Sequence, residues 1–485
     1  MAQTSQSVAL PKRLPLIAQP SNRSNNYYKD ARLVNCYAER NEAGEWEIEQ
    51  RVGLGPTPAY QLSGVGFGMF CWGISLTDRQ LYMVSGNTLY QVALRQGVPN
   101  LVTLAQINIG NGSQIRFLPI PSQSATPGNL MIASTAAAYN ISASGVVVQI
   151  NDPNYPLQTV PGIAYLDGTT YVMDVYGQIW GTAGLDNTVT WDGLNVIPAN
   201  SEPDLPVALA KQLVYVVALK QWTTLFFFDN QNPTGSPLSP VPGALINYGC
   251  LSSETLQELD GVLFWVTSSR TESPQVCMLQ NLQIRIISTP AVDRLLETSR
   301  SSSQFYSLAF KWAGHKFYVV TVVSANITLV FDVDQNLWYE WTDYLGNYYP
   351  ICSVSIDLVG RRLFQSIIGG QVWYMDADYV YPNDAGKLFP VDIYTPNFDA
   401  GTKRIKTLNM MYFDADQTSG AVLQARYSDD DYQSWSNFRS IDLNDPKPLL
   451  DSEGSFVRRA YHFRKQSSTP FRIRAVDIQL DLGTL

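Results

Sequence analysis

The stretch Arg79-Gln80-Leu81-Tyr82-Met83-Val84-Ser85-Gly86-Asn87-Thr88-Leu89-Tyr90-Gln91-Val92 decides the fold. Apolar and polar residues alternate on both sides of Gly86-Asn87. Alternation around a two-residue Gly/Asn turn is the strongest short-range signal for a β-hairpin. Related units recur at 128–140, 168–181, 212–229, 261–284, 314–333 and 360–375. Their starts lie roughly 40–55 residues apart, the spacing at which one repeat means one propeller blade. The repeat predicts a β-propeller of six or seven blades over 63–390.

Composition agrees with an all-β chain. Of 485 residues, 27 are Tyr, 11 Trp and 19 Phe, and runs such as Val319-Val320-Thr321-Val322-Val323 are β-branched, which suits pleated, half-buried strands. The segment 292–298 is the best short helix candidate, and no longer window holds a helical period. The length allows two or three domains.

Outside the repeat, 1–62 reads as an N-terminal arm and hairpin. Pro11, Pro15 and Pro20 punctuate an extended arm, Ser21-Asn22-Arg23-Ser24-Asn25-Asn26 is polar and turn-rich, and a strand over 32–39 pairs with Trp46-Glu47-Ile48-Glu49 across a turn at 41–44. Beyond Pro390, alternating strands at 405–413, 421–428, 438–443, 456–463 and 471–482 fit a small antiparallel sandwich over 391–485. In the last of them the apolar set shifts from Phe471, Ile473 and Ala475 to Ile478, Leu480 and Leu482, which predicts a bulge near Val476-Asp477. The fold expected is therefore an all-β one: a propeller plus a β-sandwich platform built from the N- and C-terminal segments.

Charge narrows the function classes. The formal net charge is −9 with 15% charged residues. Residues 401–485 hold 12 Lys/Arg and 11 Asp/Glu, a sum of +1, so 1–400 carries −10. Gripping nucleic acid through its phosphates requires Lys and Arg in excess, and a sparsely charged, neutral-polar surface suits wide contacts with protein neighbours. Cys36, Cys71, Cys250, Cys277 and Cys352 form no C-x-x-C pair and read as free thiols, consistent with assembly in a reducing cytoplasm. His315 and His462 cannot complete a zinc site with them at usual spacing. No signal peptide and no membrane-length apolar run is evident.

Candidate chemistry is sparse. Gly64-Val65-Gly66-Phe67-Gly68 lacks the G-x-G-x-x-G spacing and its βαβ setting. No nucleophile elbow, P-loop, metal or cofactor motif is present, so no catalytic residue and no cofactor is assigned. Ser428-Asp429-Asp430-Asp431-Tyr432-Gln433-Ser434-Trp435 resembles the Asp-box of sialidases and related propellers, with Tyr432 where Gly is expected and Ser434 in place of Thr. That resemblance implies a turn brace of Ser428, Asp430 and Trp435, with a cation at the three carboxylates as the other reading. Basic residues cluster at Lys403-Arg404-Ile405-Lys406, and at Arg458, Arg459, Arg464, Lys465, Arg472 and Arg474. They form either a solvated sheet face or a contact with an acidic protein neighbour; Arg458, Arg459, Arg472 and Arg474 are the candidate adaptor or protein contacts.

The two ends carry a family resemblance. Tyr28-Lys29-Asp30-Ala31-Arg32-Leu33-Val34-Asn35-Cys36-Tyr37-Ala38-Glu39, followed by Arg51-Val52-Gly53-Leu54-Gly55, resembles the opening of the phage-stabilisation proteins, the tail-nozzle or packaged-DNA stabilisation proteins of short-tailed bacteriophages. Arg458-Arg459, Pro470-Phe471-Arg472-Ile473-Arg474 and Asp477-Ile478-Gln479-Leu480 resemble their ending. Gly53-Leu54-Gly55-Pro56 departs from the family's Pro-Gly turn, and no role is carried over there. The resemblance implies a virion tail subunit, assembled in the host cytoplasm as a hexamer below the portal and adaptor rings. It would extend the DNA channel, without enzymatic activity, with a tail fibre or spike and a needle or plug as further neighbours. From the residues alone, a propeller glycan hydrolase or a carbohydrate-binding propeller acting at the host surface is the other class.

Overall fold

A computed structural model of the chain describes residues 10–20, 30–73, 75–95, 97–120, 128–299, 304–375, 383–465 and 467–483. The polar stretch at 21–26 lies outside the described residues. All seven hairpins read from the sequence form, and each lies in a different sheet. In the founding one, Gln80–Ser85 pairs with Thr88–Arg95 and Ser85 lies opposite Thr88, leaving Gly86-Asn87 as the turn. Gly86 has φ +54°, a left-handed conformation that a side chain would strain.

The sheets pack face to face in a ring, each sharing an apolar core with the next. Tyr82 and Val84 of the first blade meet Leu130 and Ile132 of the second, and Leu81 and Met83 on the other face of the first meet Leu363 and Val372 of the seventh. That last contact closes the circle. Six sheets belong to the propeller alone. The remaining one, Phe305–Trp312, His315–Val322, Ile327–Asp332 and Leu337–Trp341, holds the sixth position and runs on into the platform as part of a nine-stranded sheet.

The seventh sheet has three strands of its own, and the chain ahead of the first blade completes it. The N–H groups of Ala59 and Tyr60 donate to the Val372 carbonyl, and Val372 N–H donates to the Tyr60 carbonyl. The 54–60 segment thus closes the propeller, whereas the sequence reading assigned all of 1–62 to the platform. Only pairing across the ring reveals this, because the partner lies more than 300 residues away.

The platform is a two-sheet sandwich. One sheet orders Cys36–Arg40, Trp46–Gln50, Arg472–Leu482, Lys406–Ala415 and Leu449–Asp451, with Leu10–Arg13 also on the long Arg472–Leu482 strand. The other inserts Arg32–Val34 between the sixth blade's Leu337–Trp341 and Val391–Tyr394, then continues to Ala460–Lys465, Val422–Ser428 and Arg439–Asp442. Their common core includes Leu33, Tyr37, Phe463, Ile473 and Val476 together with Val319 and Phe310 of the sixth blade. The bulge in the final strand falls at Arg474, between the pairs Ala415–Ile473 and Asp414–Ala475, rather than at Val476-Asp477. The extra residue there turns the strand before the change in apolar pattern becomes visible. A single α-helix among the described residues, Pro290–Thr298, starts on a Thr289 cap with Pro at its first turn.

Because residues 10–50 supply four strands to the two platform sheets, deleting 1–60 is expected to unfold the 391–485 region. Hydrogen exchange on the truncated protein checks this; protection of 460–482 equal to that in the full chain would refute it.

Candidate functional site

The Asp-box-like hairpin builds a fully bonded turn. Asp430 Oδ1 accepts from the N–H groups of Gln433 at 3.1 Å and Ser434 at 2.9 Å, and from Ser428 Oγ at 2.8 Å. The Ser434 hydroxyl and N–H are the main reason why the Asp430 carboxyl is held down to about 2. Asp431 and Tyr432 sit at φ +63° and +64°, which explains why the motif favours Gly at the second of them. Tyr432 offsets that strain by burial and by donating from its hydroxyl to the Thr395 carbonyl at 2.8 Å. Trp435 packs on Tyr432, Tyr394 and His462. These bonds employ Asp430 entirely within the hairpin, and the described residues hold no group of three potential metal ligands.

The basic residues divide sharply. Arg459 is buried, with its side chain 1% exposed. It makes a two-pronged ion pair to Asp429 at 2.7 and 2.8 Å, donates to the Glu453 carbonyl at 2.6 Å, and stacks over Tyr427. It therefore cannot serve as a docking contact, which corrects the sequence reading. Arg472 and Arg474 face four carboxylates of their own sheet: Asp416, to which both donate, with Asp414 2.9 Å from Arg474 and Glu47 and Glu49 at 3.6 and 3.8 Å from Arg472. Their local field is acidic, and their side chains stay 40% and 35% exposed. Lys406 is buried and donates to the carbonyls of Thr402 and Arg404. Lys465 is buried on Gln50, where loss of water pulls its ammonium down to about 7. Arg464 pairs with Asp392. The exposed cations of the two clusters are Lys403, Arg404 and Arg458, the last half-exposed beside Asp431 at 3.4 Å.

Both histidines are structural. His462 donates from Nε2 to Asp392 at 2.7 Å and accepts at Nδ1 from Arg426 at 2.9 Å. That arrangement favours the neutral ring, and its proton affinity is lowered by burial. His315 lies in the turn region of the sixth blade with Nδ1 2.6 Å from Asp332 and Nε2 3.8 Å from Glu39 of the platform hairpin. Burial opposes its charge, but the Asp332 carboxylate and then Glu39 outweigh it, so its pKa is raised from 6.5. A raised folded-state pKa contributes stability that is complete below 6.5 and is lost as pH rises through the folded value. The stability difference between wild type and His315→Gln should thus shrink on going from pH 6 to pH 9. Urea midpoints across that range check it, and a constant difference would refute it.

The propeller axis is the remaining candidate for chemistry. There Gln114 on the approach to the second blade's inner strand donates from Nε2 to the Cys352 carbonyl of the seventh at 2.8 Å. Gln257 of the fifth donates to the Ser307 carbonyl of the sixth at 2.9 Å, and Arg116 donates to the Ser253 carbonyl at 2.8 Å. Glu254 accepts the Gln114 N–H at 3.1 Å; burial raises its pKa even though Arg116 opposes the shift. Four blades are thus hydrogen-bonded to one another across the axis. Groups within hydrogen-bond distance of one another across the axis leave no bore for a duplex.

The family model described as bacteriophage P22 Gp10, beta-propeller, matches residues 12–344. The chain belongs to the phage-stabilisation family. Membership makes it a phage structural protein and a virion component. No curated protein matches it. Some solved structures are similar at low identity. A streptogramin B lyase is 11% identical over 71% of this chain and 98% of its own, with a TM-score of 0.40. A virginiamycin B lyase of Staphylococcus aureus, crystallised with quinupristin in a catalytically inactive form, is 10% identical over 66% and 98%, at 0.43. YCF48 bound to D1 peptide is 14% identical over 75% and 99%, at 0.39. None of these likenesses carries an argument about activity.

Sequence reasoning overlooked the buried pair Arg51–Asp384 and the Asp392 hub. Arg51 lay within the quoted family motif, but its partner is 333 residues away.

Proposed function

We propose that this protein is a tail nozzle or hub subunit, six copies of which form a ring below the portal–adaptor complex. The ring extends the DNA channel, helps retain packaged DNA until ejection, and has no enzymatic role. Family membership over 12–344 supports the class. The observation that carries the mechanism is the hydrogen-bonded propeller axis: DNA cannot thread a single propeller, so its path lies between copies, along the axis of the ring. The acidic excess of 1–400 suits a wall that double-stranded DNA passes without binding. The platform meets the adaptor ring, and a fibre or spike and a plug attach to the assembly, which is built in the host cytoplasm and retained in the virion.

A glycan hydrolase would require two carboxylates flanking an open cleft. Glu254 at the axis instead bonds to the backbone N–H of Gln114 and is countered by Arg116. Cryo-microscopy of purified tails tests the proposal. It is expected to show six copies around a continuous channel. Absence of the protein from particles, or a channel lined chiefly by Lys and Arg, would overturn the reading.

A further inference from the structure

Residues 117–210, which run from the second blade to the fourth, contain no Lys, Arg or His. The same stretch holds seven acids, Asp152, Asp167, Asp174, Asp186, Asp192, Glu202 and Asp204. It also exposes large apolar side chains along the outer rim. Val148 is on the outermost strand of the second blade, Leu157 on the connection to the third, and Leu194 on the third blade's outermost strand; they are 49%, 93% and 75% exposed. The connection is fixed to that strand, because Asn154 donates to the Trp191 carbonyl at 3.1 Å and Tyr155 packs edge-on against the Trp191 ring. Leu157 and Leu194 therefore lie on segments held to each other, and exposed apolar clusters mark interaction sites.

The complementary surface is on the platform. Lys406 pairs with Phe456 on one side and with Leu482 on the other, so the segments around these residues meet at one end of the sheet. Ile405, Val457 and Leu482 are 53%, 44% and 50% exposed there. They stand among Lys403, Arg404 and Arg458, the exposed cations identified above, of which Lys403 and Arg458 are partly countered by Asp399 and Asp431. Of the seven acids, Asp204 is paired with Lys220 and Glu202 with Arg270, and Asp174 is buried. One surface is thus apolar with Asp152, Asp167, Asp186 and Asp192 as its acids and Lys211 over Tyr165 at its edge, and the other is apolar with three exposed cations.

We propose that the rim of the second and third blades seats on the Lys403–Ile405 and Arg458 end of the platform of a neighbouring copy. Two acidic rims facing each other would repel, which disfavours a two-fold contact of the rim with itself. Joining unlike patches is a head-to-tail contact, and such contacts generate rings when the rotation closes. The inference rests on the ring reading above and specifies the surfaces that form it; Arg458 then contacts a second copy rather than the adaptor.

The test uses the full-length protein, with oligomer mass measured on purified protein and on tails isolated from particles. Leu157→Asp with Leu194→Asp, and separately Arg404→Glu with Arg458→Glu, should each raise the ring's dissociation midpoint at least tenfold. Circular dichroism and melting temperature should stay unchanged, since all four positions are exposed. Combining Arg404→Glu and Arg458→Glu with Asp186→Lys and Asp192→Lys should restore assembly, a rescue that general damage cannot produce. Rings that survive both double variants, or variants that assemble normally and lose only the adaptor, overturn the surface assignment and leave the ring reading intact. A wild type that is a monomer in solution and in particles overturns both.

Discussion

Replacing Arg51 with Met is expected to destabilise the protein by about 3–5 kcal/mol, the usual result of removing one member of a buried ion pair. The Arg51 side chain is 1% exposed and that of Asp384 is 9% exposed. The guanidinium donates to both Asp384 oxygens, to Asn35 Oδ1 at 2.8 Å, and to the carbonyls of Val52 and Thr342 at 2.9 Å. It also lies over Phe389 at 3.8 Å and Tyr349 at 4.5 Å. One side chain therefore connects the N-terminal strands, the turn leaving the sixth blade and the segment entering the platform. Asp384→Ala should cost a similar amount, because it strands the cation in a buried site. Urea denaturation monitored by tryptophan fluorescence measures both; losses under about 1 kcal/mol would show that the pair is replaceable by water.

The adjacent arginines 458 and 459 should behave in opposite ways. Arg459→Met is expected to cost about 2–3 kcal/mol. That is less than for Arg51, because Asp429 keeps 40% of its side chain in water and is less destabilised when left alone. Arg458→Ala should fall within about 0.5 kcal/mol of wild type, as surface substitutions do. Equal effects at the two positions would refute the division between an inward clamp and an outward contact. The sequence reading, in which both are protein contacts, fails at Arg459. Glu at 459 would face Asp429 and the Glu453 carbonyl in a buried site.

How far the fold was legible depends on the range of the interactions involved. The hairpin at 80–95 could be read because period-2 alternation and a Gly-Asn turn are contained in fewer than twenty residues, and the same local logic holds for the other six. The Asp-box-like turn was readable for the same reason: Ser428, Asp430 and Ser434 bond within one hairpin. The bulge was displaced to Arg474 because it is a property of the pairing with 406–415, not of the strand. Of the candidate contacts, Arg459 alone is turned fully inward. Whether 458 or 459 points inward is set by Tyr427, Asp429 and Phe456, and these reach Arg459 only once the strands pair.

The all-β class, the seven hairpins, the acid excess of 1–400 and the lack of cations in 117–210 are all legible in residue order alone. These follow from composition and from contacts between near neighbours. Only the packed molecule shows that residues near Tyr60 close the propeller, that the sixth blade continues into the platform, and that groups from four blades are hydrogen-bonded across the axis. It also decided which cations are neutralised and which remain exposed. Each of these depends on groups tens to hundreds of residues apart being brought within about 3 Å, the range in which hydrogen bonds and ion pairs act, and the one-dimensional pattern does not encode that distance.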